Sequence, residues 1–377
     1  MLRTIVIATA IYLTSASAIA FQLAPLGSDF EAKLTREKPS NLAKVAGKLG
    51  VLLKAPVHEE ITQLGHSCAA DMATLEIDKA CASANAGFAN HFVIYGVRWN
   101  DLPPFRLDAD EGNCSYLGKN VCVKNQTIRF STQPTCWYCL FKDAEEKAKT
   151  QRIAGCSEDK NGLPGNLMTR SHFGDLQFLH GMASEEGEDA AATQEKVIGW
   201  LEFAWKVATR EIKADTSLRD IAIPVIQTHF GCTEWRVSDI YLLGRQDGKT
   251  RLIQQIHQIA FGSALHTVQD SFAAAHTSRE FEAPPSTCTN TTFERPPRVE
   301  EFHSYAVQNS HSHDEQDARA ALLAKRGNDG SPLAVIATRN MVNLYTSNTK
   351  WIEAQHYIRC LFDTVDKPRP SSAGSYR

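Results

Sequence analysis

The segment from 249 to 276 constrains this chain more than any other. Leu252, Ile256, Ile259, Ala260, Ser263, Ala264 and Val268 recur at helical spacing, so 249–272 reads as an amphipathic helix against a core. Its C-terminal end carries His266 and Asp270, and His276 follows. His266 and Asp270 are separated by about 40° around the axis, so both reach one point. His276 falls about 80° off that direction in an ideal helix and fits a neighbouring position instead. An imidazole beside a carboxylate is half of a zinc site. Ala273, Ala274 and Ala275 leave room for ions near the backbone. One such histidine alone would read as a hydrogen-bonded core residue. Three such groups on the buried side of a helix favour metal, because a buried aspartate without a cation is costly.

A second run, His311-Ser-His313-Asp-Glu315-Gln-Asp317, repeats the pattern. His313/Asp317 and His311/Glu315 are offset by two residues and lie on nearly opposite faces, so one pair points inward. Ala320, Ala321 and Ala324 continue the His313/Asp317 face, whereas Arg319 continues the other. Amphipathicity favours His313 and Asp317. Upstream, His58 opens a helical stretch, Asp101 precedes two prolines, and His172 lies in Ser171-His172-Phe173-Gly174-Asp175. Each has a plain structural reading alone: a helix N-terminus, a turn and a solvated loop. His180 rivals His172, since Phe178-Leu179-His180 also reads as an inward helical face.

The first twenty of the 377 residues read as a secretory signal peptide. Arg3 is the positive end, Thr4–Leu13 the apolar stretch, and Ala16-Ser-Ala18 and Ala18-Ile-Ala20 are small-x-small cleavage sites. The mature chain then begins near Phe21, and export to a secreted or periplasmic location is expected. The ten cysteines fit up to five disulfides in such a chain. Five of them fall in 103–168, with many Gly, Asn and Pro and a β-like run at Val121–Phe130. This stretch reads as a disulfide-held, irregular insertion outside the metal centre. Its odd count requires a bridge to another segment or a free thiol, and Cys68 and Cys81 are the nearest candidates. Sequons lie at Asn113, Asn125 and Asn290. A formal charge of −3 gives no basic footprint for duplex nucleic acid.

Helical periodicity also marks 41–54, 59–75, 184–214, about 300–325 and 334–363, while the prolines of 281–299 bar a regular helix there. The fold class is therefore all-α, with one helical domain over 21–366 and a flexible tail at 367–377. No P-loop, dinucleotide fingerprint or serine elbow competes for the chemistry.

Taken in order, these residues resemble the zinc-dependent bacterial phospholipase C family, whose superfamily includes the fungal single-strand nucleases. The run His266-x3-Asp270-x5-His276, preceded by Ala264-Leu265, is the most specific element. His58, Asp101, Ser171-His172-Phe173-x-Asp175, a later His-x3-Asp/Glu and Tyr357-Ile-x3-Phe362-Asp-Thr accompany it. The likeness spans about 50–365, with insertions at 103–168 and 183–248. It implies an all-α scaffold holding two to three zinc ions in a cleft. Asp101, His172, His266 and Asp270 would hold one ion, and Asp270 would bridge to a second held by His58. His276 and the later pair would hold the third. Asp101 would also orient or deprotonate water, whose pKa zinc lowers to roughly 7. The implied substrate is a phospholipid or other phosphodiester, met through transient contact with a membrane surface. A single-strand nuclease and a non-catalytic metal-containing binding protein are the alternatives. The family's mature chain begins with a zinc-binding Trp, whereas here no Trp precedes Trp99, which leaves one ion without its usual ligands.

Overall fold

The computed structural model describes residues 56–68, 89–106, 134–150, 167–243, 252–281 and 286–377, with 77, 80–81, 122, 127–128, 153 and 155 between them. The leader and the helix expected over 41–54 lie outside the described residues. What is described is mostly helical, as the periodicity predicts. No described helix is long and apolar enough to cross a membrane.

The helix α1 (Val57–Gly65) places Glu59 and Glu60 in its first turn, where the helix dipole favours carboxylates. Helix α2 (His91–Trp99) starts at Asn90, whose side chain accepts from Phe92 N. β1 (Phe105–Arg106) and β2 (Thr127–Ile128) make a minimal antiparallel pair. Then α3 (Pro134–Ala148) departs from the irregular insertion expected at 103–168. Its buried Cys136, Trp137, Leu140, Phe141 and Ala144 keep helical spacing, a pattern hidden among cysteines and turn residues. Helix α4 (Leu167–Phe173) leads into a 3-10 turn at Gln177–His180. Helix α5 (Ala190–Ala208), capped by Asp189, brings Trp200 and Trp205 into the core. Two short helices follow, α6 (Pro224–Phe230) and α7 (Val237–Leu242).

The long helix expected over 249–272 is α8 (Ile256–Asp270). β3 (Thr277–Arg279) returns from it and pairs antiparallel with β4 (Val299–Phe302). Helices α9 (Ser310–Gln316) and α10 (Arg319–Ala324) break what reads as one helix over 300–325. The 334–363 stretch also divides, into α11 (Leu333–Thr346) and α12 (Trp351–Cys360), at a turn where Asn348 has φ 54°.

Helix α8 packs chiefly on α2 and α5, and α1 on α11. The α2–α8 crossing is unusually close. A Cβ on Gly96 would sit 2.0 Å from Ile259 O, and one on Gly262 would sit 2.1 Å from Val93 O. Glycine at both positions lets the two backbones meet, and this fixes the α8 side chains against α2.

Disulfides join Cys68–Cys81, Cys122–Cys136 and Cys288–Cys360. Cys68 and Cys81 therefore pair with each other and do not hold the insertion. Cys139 and Cys232 are also disulfide-bonded. With three pairs assigned, the partner of Cys232 must be a cysteine of 103–168, which is the outside bridge that the odd count requires. Such bonds fit an oxidising compartment. The tail is docked, not flexible: Arg369 N donates to Glu300 O, Gly187 N to Ser371 O and Ser304 N to Ser372 O.

Candidate metal centre

From Ile259 onward helix α8 is buried on every side rather than amphipathic toward solvent. Its polar residues Ser263, His266, Thr267, Gln269 and Asp270 are all fully buried, so its polar stripe faces other protein groups. Those groups come from α1, the end of α2, the α4–α5 connection and α9. Among the described residues, three groups have ligand atoms within 4.8 Å of one another: His58, His266 and Asp270; Asp101, His172 and His180; His276, His313 and Asp317.

Asp270 links the groups. Its Oδ1 is 3.2 Å from His58 Nε2, and its Oδ2 is 2.9 Å from His180 Nδ1 and 3.0 Å from His266 Nε2. Asp101 Oδ1 lies 3.5 Å from both His180 Nδ1 and His266 Nε2. Asp317 spans the third group, 3.0 Å from His313 Nε2 and 3.6 Å from His276 Nε2.

The opposite edge of most of these rings is already committed. His266 Nδ1 is 2.6 Å from Val97 O, His172 Nδ1 is 2.9 Å from Met168 O, and His276 Nδ1 is 2.8 Å from His180 O. Side-chain carbonyls serve His58, 2.7 Å from Gln269 Oε1, and His313, 2.5 Å from Gln308 Oε1. A carbonyl oxygen can only accept, so each Nδ1 carries a proton, and in the neutral ring this leaves Nε2 as the ligand atom. That is the tautomer and the second bond of a metal-binding histidine. Both oxygens of Asp101 and of Asp317, with Nε2 of His172, His180 and His276, have no described hydrogen-bond partner. Buried polar atoms left this way are rare in native proteins. A divalent cation fits this set of nitrogen and carboxylate donors.

Electrostatics point the same way. Burial lowers His172 and His313 to about 4 and takes His180 well below its ordinary value. These rings are therefore neutral, as ligands must be. Burial raises the Asp101 and Asp317 carboxyls. Burial also opposes ionisation of Asp270, but His266 and His276 outweigh it and hold its pKa well down. His266 is driven up to about 10, because Asp270 and Asp101 overcome its desolvation. Burial thus disfavours the ionised forms of Asp101 and Asp317, and a bound cation is the kind of partner that would reverse this.

The structure thus brings together His58, Asp101, His172, His266, Asp270, His276, His313 and Asp317. His180 joins them and touches Asp101, His266 and Asp270 directly, whereas His172 stands behind it at 5.0 Å between ring centres. The His311 side chain is 85 % exposed and pairs with Glu315 at the surface. The alanines do not explain this choice. The helix breaks at Asp317, and Ala320 and Ala324 are exposed. His276 does occupy a separate group, but because α8 ends at Asp270 and a turn carries it onward. Asp175 is no ligand: its carboxylate takes two hydrogen bonds from Arg170 and one from His229. Gln269 and Gln308 give no recognisable signal in the sequence, since nothing local tells an orienting amide from an ordinary one.

One placement is corrected outright. Helix α3, within the 103–168 segment, does not lie outside the centre. Phe141 and Trp137 of α3 present their rings edge-on to His172 at 5.1 and 6.4 Å. Beneath them, Ser171, His172, His180, Met182, His276, Tyr305 and His313 enclose a cavity of about 10 Å³, room for about one water. A cavity of about 180 Å³ lies elsewhere, beside the β3–β4 hairpin. There Arg295 is paired with Asp363, and Arg298 with Glu280 and Asp366, and none of the three His/Asp groups lines it. Comparison with known protein families, curated proteins and solved structures finds no match to this chain.

Proposed function

We propose that this chain is an exported zinc-dependent phosphodiesterase of the phospholipase C type, cleaving the head-group phosphodiester of a phospholipid with water. One observation carries the reading: buried Nε2 atoms and carboxylate oxygens converge, with the outer edges of five rings held by carbonyl acceptors. Asp101, His180, His266 and Asp270 would hold one ion. Asp270 and His58 would hold a second, and His276, His313 and Asp317 a third. A bound divalent ion acidifies water and draws charge from phosphoryl oxygens. Asp101 orients the attacking water and accepts its proton, and the apolar α3 cover excludes bulk solvent. His172, grouped with Asp101 and His180, would offer that position a further nitrogen donor.

Purified protein tested in parallel on a phosphocholine ester and on single-stranded DNA, with and without chelator, decides the matter. Zinc-restorable release of phosphocholine is the expected result. Cleavage of the DNA alone would transfer the chain to the nuclease branch. Inertness of the metal-loaded protein on both would leave a metal-containing binding protein.

A further inference from the structure

The five committed Nδ1 atoms are not anchored alike. Three donate to backbone carbonyls of the core: Val97 O and His180 O from neighbouring segments, and Met168 O within α4. Gln269, which serves His58, is fixed inside the core, its amide nitrogen 2.9 Å from Thr62 Oγ1. Gln308, which serves His313, is fixed from outside. Its Nε2 donates to Ala275 O at 2.7 Å and to Ala373 O at 3.1 Å. Ala373 belongs to the docked tail and is fully buried. Tyr376 O accepts from Asn309 N at 2.6 Å, and Asn309 is the cap of α9, its side chain accepting from His311 N and Ser312 N. Gly374 lies against the His303 ring, where no Cβ would fit. His303 in turn holds Ala275 O through Nδ1 at 3.0 Å. The tail thus touches both the amide that orients His313 and the cap of the helix that carries it.

We propose that Gln308 is a positioning residue for His313, and that residues 373–377 act through it to hold the third metal position in binding geometry. This rests on the metal reading above and adds a dependence within it. Tail docking and filling of the His276–His313–Asp317 position are one linked event, while the positions around Asp270 are independent of the tail. A ligand's outer hydrogen-bond partner is commonly worth 10–100-fold in metal affinity.

The test uses the full-length protein, the Gln308→Leu variant and a chain ending at Ser372, which keeps the Ser371 and Ser372 contacts. Each is loaded with zinc for metal counting and with cobalt for its visible spectrum, with circular dichroism as the folding control. Both altered proteins should bind one metal equivalent at least tenfold more weakly, with the matching cobalt band shifted. The remaining equivalents should be unchanged. If Gln308→Leu fails to fold, the shortened chain still decides. A fully loaded parent with unaltered affinity and cobalt spectrum in the folded variants overturns the proposal and leaves the metal reading intact. A parent that binds no metal overturns both.

Discussion

His313 and His311 are two residues apart and have opposite fates. His313 is buried against His276, Tyr305 and Asp317, while His311 projects into solvent. Replacing His313 with alanine should remove one metal equivalent and lower turnover by about 100-fold, as loss of a ligand's contribution implies. His311→Ala should leave both within about twofold. The reverse order in metal counting and kinetics would move the ligand pair to His311 and Glu315. At Asp175 the expectation concerns pH. Burial raises its pKa, but Arg170 and His229 outweigh burial and hold it below the usual carboxylate range. Its contribution is therefore complete above the unfolded value near ~3.9 and is lost as pH falls through the depressed folded value. Asp175→Asn should cost about 3 kcal/mol near neutrality, and the gap to the parent should shrink in urea titrations below about pH 4. A gap constant with pH would mean that the ion pair is not its source. The residues of the buried cluster were legible at this scale because His and Asp at four-residue spacing are rare together. That His172 and His180 stand together beside Asp101 was not, because it depends on a 3-10 turn that brings His180 back toward Asp270.

At the scale of elements, the α2–α8 contact sets the geometry of the centre. Gly262→Ala would push a methyl into Val93 O. Overpacking of this kind costs about 1–3 kcal/mol, and here it would also draw His266 away from Val97 O. Thermal melts and metal titration should fall together, whereas lowered stability with unchanged metal affinity would uncouple the crossing from the site. The α3 cover makes a different prediction. A cavity of about 10 Å³ cannot admit a head group, so on the proposed phosphodiesterase reading α3 or the Tyr305–α9 segment would have to move. Amide exchange should be faster in α3 than in the buried stretch of α8. Equal protection would argue for a permanently closed, structural site. Helix α8 was plain in the sequence because its apolar period runs uninterrupted. The α3 helix was hidden, since cysteines and turn residues outweighed the spacing of Trp137, Leu140, Phe141 and Ala144. The break between α9 and α10 was hidden too, because it occurs at a buried aspartate, Asp317, without glycine or proline.

For the whole molecule, disulfides and metal would share the work of holding segments distant in sequence. Cys288–Cys360 ties the Pro-rich connection to α12, and Cys232 reaches back to the 103–168 segment. Peptide mapping without reduction should recover Cys232 joined to Cys114, Cys139 or Cys156, while a free Cys232 thiol would contradict the assignment. An even count of ten cysteines made disulfides legible, but their pairing depends on which segments the helices bring together. The docked tail was not legible either, since a Ser, Gly and Arg composition does not register the backbone hydrogen bonds of Ser371 and Ser372. The reading as a whole turns on whether the buried His and Asp cluster holds metal in the native protein. Elemental analysis of mature protein purified without chelator tests this most directly. Two to three zinc ions per chain are expected, with a clear fall in melting temperature on chelation. Fewer than one metal ion per folded chain, with melting unaffected by chelator, would contradict it.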